Sequence, residues 1–105
     1  MPLDIQKEHL KIVKNILKQH VPHCEVWAFG SRVKGLAKKT SDLDLCILNS
    51  EPLSLEILSA IRDAFSLSFI PYKVDVLDWA SIQPSFQENI AKEHIVLCCG
   101  DESVK

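Results

Sequence analysis

Apolar residues recur at helical spacing near the start of the chain. Ile5, Ile12, Val13, Ile16 and Leu17 fall on one side, and Lys7, Lys11, Lys14 and Lys18 on the other. The pattern predicts a helix over about 4–20, capped by Asp4 and stopped by Pro22. The period then shortens. Glu25 to Phe29 reads as a strand with apolar residues on both faces, so both should be covered. A short helix should run from Ser31 to about Ala37, broken at Gly35, and a second strand from Leu43 to Leu48. After the turn at 49–52, Leu55, Ile57, Leu58, Ile61, Ala64 and Phe65 mark the apolar face of a helix over about 54–65. Residues 67–71 read as a loop before a third strand, 72–78, in which Val74 and Val76 face the core and Asp75 the other side. Asp78 should face away from Asp75 and serve a turn or cap ahead of Trp79. A last helix over about 84–94 uses Phe86, Ile90 and Ala91; a short apolar segment, Ile95 to Cys99, and a polar, frayed tail, Gly100 to Lys105, follow it.

Helix and strand thus alternate. The fold class expected is α/β (α+β), a small mixed β-sheet of about three strands flanked by helices. The 105 residues suit a single domain, 1–105. Periodicity alone fixes neither the order nor the direction of the strands.

Charge narrows the function. A net charge of −2 is not that of a protein that follows a nucleic-acid backbone, so no direct nucleic-acid binding is expected and a stand-alone polymerase is disfavoured. Cys24, Cys46, Cys98 and Cys99 form no C-x-x-C pair, which argues against a cysteine zinc site. Cys46, inside an apolar strand, reads as a small core residue. A Cys98–Cys99 disulfide is not favoured, and the four His have no spacing of a metal cluster. No apolar run approaches the ~20 residues of a spanning helix, so no membrane association is expected and a cytoplasmic location is.

The chemistry concentrates between Phe29 and Leu45. Gly30-Ser31 is followed by ten residues and then by Asp42-x-Asp44, between two strand-like segments. Strand alternation puts Asp42 and Asp44 on one face. Two carboxylates there repel each other unless a cation lies between them. Magnesium suits them, because it takes one or two carboxylates together with substrate phosphates and water. Asp75 is the candidate third carboxylate, and Lys73 should share its face. Gly30 would let backbone approach a phosphate, Ser31 would add a hydroxyl, and Arg32, Lys34, Lys38 and Lys39 bring positive charge. Trp27 reads as a packing residue, with base stacking the alternative.

These residues resemble the signature of the DNA polymerase β-like nucleotidyltransferase superfamily: hG[GS], then [DE]h[DE]h, then a third carboxylate on a later strand. The form G-S-R-x-x-G-x-x-x-x-x-S-D-x-D-L is similar to that of the minimal nucleotidyltransferases of prokaryotes. The resemblance implies the nucleotidyltransferase palm fold and transfer of AMP from ATP to an acceptor hydroxyl. It implies two Mg2+ ions held by Asp42, Asp44 and Asp75, with Asp75 orienting or deprotonating the acceptor. Gly30 and Ser31 would grip the β- and γ-phosphates with help from Arg32. Minimal nucleotidyltransferases of this kind resemble antitoxins encoded beside a HEPN ribonuclease toxin, which implies a hetero-oligomer and a tyrosine of that toxin as acceptor. Two other readings remain: a partner-binding antitoxin without turnover, and transfer to a small molecule.

Overall fold

The sequence pattern becomes nine elements among the described residues, four of them helices: Lys7–His20 (α1), Ser31–Lys34 (α2), Leu55–Ser66 (α3) and Pro84–Lys92 (α4). The strands are Glu25–Phe29 (β1), Leu43–Leu48 (β2), Val74–Asp78 (β3) and Ile95–Cys99 (β4), with a 3-10 turn at Trp79–Ser81. This computed structural model describes residues 3–38 and 40–99. Lys39, the tail Gly100–Lys105 and the Cys99 side chain lie outside the described residues.

The four strands form one mixed sheet in the order β3-β2-β1-β4. β1 pairs antiparallel with β2, placing Phe29 opposite Asp44, and antiparallel with β4 on its other side. β3 runs parallel to β2, with Asp75 beside Asp44. A parallel neighbour needs a crossover, and α3 supplies it. The expected mixed sheet is present with one strand more than expected, because the apolar segment 95–99 pairs with β1.

One face of the sheet carries the main core. Val26 and Ala28 of β1, Leu43, Leu45 and Ile47 of β2 and Val76 of β3 all have 0% exposure. They cluster with Val13, Ile16 and Leu17 of α1 and with Leu58, Ile61 and Phe65 of α3. Alternation sends Trp27, Phe29, Cys46 and the carboxylates to the opposite face. There Trp27 stacks on His94, with ring centroids 3.7 Å apart, and meets Trp79 edge-on. Phe29 meets Phe86 of α4 edge-on at 6.0 Å. Both faces of β1 are therefore covered as its sequence suggests, and Trp27 is a packing residue. Burial, with a smaller push from Asp78, drives the Cys46 thiol up to about 12, as befits an inert core residue.

Two expectations need correction. α1 starts at Lys7 behind Gln6, not at Asp4. Residues 3–6 are drawn elsewhere: Leu3 is buried and the Asp4 N–H donates to the Arg32 carbonyl at 2.8 Å. In α3, Leu58, Ile61 and Phe65 face the core, whereas Leu55 is 79% exposed and Ile57 is on the surface as well. The helix is capped by Ser54, whose Oγ accepts from the Ile57 N–H at 3.2 Å.

Asp78 caps the 3-10 turn and is 5% exposed. It accepts from the Leu53 N–H at 2.8 Å, from Ser81 Oγ at 2.9 Å and from the Ala80 N–H at 3.3 Å. Its register partner is Ile47, so it belongs to the sheet face away from Asp75. Replacement by Ala strands the Leu53 and Ala80 donors. Asp78→Ala should lose about 1–3 kcal/mol in urea unfolding, the cost of buried groups left without partners, whereas Asp75→Asn should leave the urea midpoint nearly unchanged.

Candidate active site

β2 and β3 bring two carboxylates together by register alone. Asp44 and Asp75 are partners across the parallel pair and stand on the same face. Asp42 lies one residue before β2, two residues from Asp44, and is exposed. The Leu43 N–H donates to the Lys73 carbonyl at 2.9 Å, which pins the start of β2 and thus Asp42 beside β3. Lys73, two residues from Asp75, is near enough to act on Asp44 as well.

The third strand contributes a turn. Phe29, the last residue of β1, is opposite Asp44, so Gly30 passes directly by that carboxylate. Gly30 has φ 82° and ψ −157°, a conformation that residues with a Cβ avoid. A Cβ built there would overlap Asp44 Oδ2. The dihedrals call for glycine, and a side chain there would also push the Asp44 carboxylate from its place. Ser31 opens α2, whose Val33 and Lys34 N–H groups donate to the Gly30 carbonyl at 3.0 and 3.1 Å. With only four residues in α2, little macrodipole accumulates. The close approach of backbone to carboxylate, rather than a helix dipole, distinguishes this turn.

Asp44 is under-compensated. Burial raises the Asp44 pKa, the Asp75 and Asp42 charges raise it further, and Lys73 opposes them. Among the described residues no three His, Cys, Asp or Glu side chains are grouped to hold a metal ion by themselves. Magnesium does not need that: one or two carboxylates serve when phosphates and water complete its shell. Hard oxygen donors with surplus negative charge fit such an ion.

Arg32 has a different position from the one its sequence neighbours suggest. It is 5% exposed. Its guanidinium donates to the carbonyls of Asp4 at 2.8 Å, Ser41 at 3.0 Å and Lys38 at 3.3 Å, and lies over the Tyr72 ring at 3.9 Å. Tyr72 in turn meets His9 of α1, its hydroxyl 3.3 Å from Nδ1. The sequence suggests a phosphate contact for Arg32; the structure adds that its guanidinium is an anchor. One planar cation binds the segment before α1, the loop after α2 and the loop before β3. The Lys38 N–H, accepted by Ser41 Oγ at 2.8 Å, tightens the same loop just ahead of Asp42. Sequence reading missed this anchor, and it also missed α4 as a neighbour of the site. The signal available for α4 was Phe86, an aromatic at a partly polar helix face.

The arrangement can hold a polyphosphate's cations between β2 and β3 while the Gly30 turn approaches from β1. Comparison with known proteins gives the family. Residues 11–103 match the family described as "Polymerase beta, Nucleotidyltransferase". The chain is 54% identical over 95 residues to the "Probable protein adenylyltransferase MntA" of Haemophilus influenzae, covering 90% of this chain and 83% of that protein. Its fold is similar to that of a chain in a solved "toxin-antitoxin with AMP-PNP", with TM-score 0.73, 19% identity, and coverage of 90% of this chain and 75% of that one. A chain from the complex of tri-AMPylated Shewanella oneidensis HEPN toxin with MNT antitoxin gives TM-score 0.63 at 18% identity, covering 94% of this chain and 76% of that one. The chain belongs to the polymerase β nucleotidyltransferase family, and within it to the minimal nucleotidyltransferases similar to MntA. It is thus an enzyme of the nucleotidyltransferase class. Among the described residues no helix is long and apolar enough to cross a membrane.

The charge on Asp44 sets a pH signature. Its folded-state pKa is raised above the ordinary 3.8. A raised pKa means that stability is fully present below the unfolded value and is lost as pH rises through the folded one. Asp44→Asn should therefore raise the thermal midpoint of the metal-free protein at pH 7, and the gain should vanish in acid, where wild-type Asp44 is protonated. Differential scanning fluorimetry across pH checks this. A midpoint lowered equally at all pH values would contradict it.

Proposed function

We propose that this chain transfers AMP from ATP to a hydroxyl on a protein partner, a HEPN-type toxin that it silences as an antitoxin. The observation that carries the reading is the pairing of Asp44 with Asp75 across β2 and β3, with Asp42 two residues before Asp44 and the Gly30 backbone against Asp44. The names of the relatives support its finer parts: one is described as a protein adenylyltransferase, and the structural neighbours come from toxin–antitoxin complexes, one with AMP-PNP and one with an AMPylated HEPN toxin.

In this reading Asp42, Asp44 and Asp75 would hold two Mg2+ ions, which would supply neutralisation of the charge on the phosphate oxygens. Gly30 leaves room for the β- and γ-phosphates, and Ser31 donates its hydroxyl to them. Arg32 acts through the loop that it anchors. The acceptor oxygen attacks the α-phosphorus, the bond from that phosphorus to the bridging oxygen breaks, and pyrophosphate leaves. Asp75 orients the hydroxyl and takes its proton. No covalent enzyme intermediate is needed, because positioning and charge neutralisation suffice. A tyrosine is the acceptor in this proposal, the whole span 1–105 acts as one domain, and the reaction belongs to the cytoplasm.

Intact-mass spectrometry tests the proposal. With ATP, magnesium and the HEPN-type partner, the partner should gain the mass of one or more AMP units. EDTA should abolish the gain. Asp42→Asn should slow it by ~100-fold or more, the order seen when one preorganised electrostatic group is removed. A tight complex without any mass gain would instead make the chain a docking antitoxin.

A further inference from the structure

Beside the Gly30 turn lies a cavity of about 510 Å3 that the transfer chemistry has not used. Phe29, Gly30 and Lys34 form one wall and Phe86, Asn89 and Ile90 of α4 the other, with Lys92 and Glu93 completing the lining. We propose that this groove takes the nucleoside of the donor, its base against Phe86 and its edge read by Asn89. The proposal rests on the functional reading above and adds to it the place and the means of base recognition.

Continuity is the first argument. Phe29 and Gly30 belong both to the groove and to the carboxylate site, since Phe29 is the register partner of Asp44. A nucleotide whose phosphates lie at Gly30 has its nucleoside within reach of α4. In-line displacement excludes the acceptor from this side. Attack and departure occur on opposite sides of the α-phosphorus, so pyrophosphate at Gly30 leaves the acceptor to the Asp75 side.

Size and chemistry are the second. The volume falls in the ~300–1,000 Å3 usual for small-molecule clefts. Phe29 and Phe86 meet at 85°, edge to face, and Phe86 stays 39% exposed although α4 lies against the sheet. A partly exposed aromatic ring in a cleft that the buried Ile90 also lines offers a purine or pyrimidine a surface to stack on. Asn89 brings a side chain that both donates and accepts, as adenine's N6 and N7 edge requires. Trp27 cannot take this part, because its ring already lies between His94 and Trp79.

Other cavities fit a nucleoside less well. One of about 600 Å3 surrounds Arg32 and Tyr72, which already hold each other. Another of about 580 Å3 lies between α3 and β3 with Lys73 and Asp75 in its lining, on the acceptor side of the carboxylates.

Calorimetric titration of the full chain, with magnesium present, separates the parts. The probes are ATP, GTP and inorganic tripolyphosphate. Phe86→Ala should weaken ATP about tenfold or more, as loss of one base–aromatic stack does, and leave tripolyphosphate binding unchanged. Asn89→Ala, at an exposed position, should narrow the preference between ATP and GTP. Phe86→Leu keeps the apolar bulk and serves if Phe86→Ala fails to fold; it should show the same selective loss. Unchanged ATP binding in these variants would overturn the groove and leave the transferase reading standing. Equal weakening of ATP and tripolyphosphate would overturn it too, since a nucleoside site cannot act on a ligand that lacks one. A wild-type chain that binds no ATP would overturn the functional reading and the groove with it.

Discussion

The structure depends on one close approach. Backbone at Gly30 passes so near a carboxylate on the neighbouring strand that a Cβ there would displace it. Everything about the site follows from keeping that approach in register. β1 must end at Phe29, opposite Asp44. β2 must begin one residue after Asp42. β3 must lie parallel to β2 so that Asp75 is level with Asp44. A slip of one residue in either pairing would turn carboxylates into the core and valines out to solvent. The apolar face of the sheet forbids that slip, so the same burial that stabilises the fold also sets the geometry of the charges.

The two faces of the sheet divide the work. α1 and α3 cover most of one of them, and the fully buried residues there form one continuous cluster. The opposite face is covered only in part, by α4 and by an aromatic group built from Trp27, Trp79 and His94. Polar chemistry sits where the cover stops. A single guanidinium, that of Arg32, satisfies three carbonyls, one before α1 and two in the loop after α2, and so fixes the loop that delivers Asp42.

Much of this was legible in the sequence, for identifiable reasons. The spacing of Asp42 and Asp44 and the valines flanking Asp75 carry the two-residue period of strands, which survives without any tertiary information. Gly30 was legible as a turn beside them. Asp78 could be separated from Asp75 by the same period, and it is indeed a buried cap. Arg32 was not legible: whether a cation meets a phosphate or a carbonyl depends on which loops fold over it. Leu55 and Ile57 misled because an apolar residue records its hydrophobicity but not which side its helix turns to the sheet. Residues 95–99 were too short to distinguish from an apolar coil until β1 offered an edge to pair with.

The pairing of β1 with β4 has a consequence for the order of events during synthesis. Of the four described strands, β1 leaves the ribosome first and β4 last. Until residues 95–99 emerge, one edge of β1 presents unpaired N–H and C=O groups, a template for strands of other chains. The carboxylate-bearing strands β2 and β3 are already made by then, and so are both helices of the main core. The nascent chain therefore has its charges before β1 has its second partner, and the strand that covers this edge is itself a short edge strand.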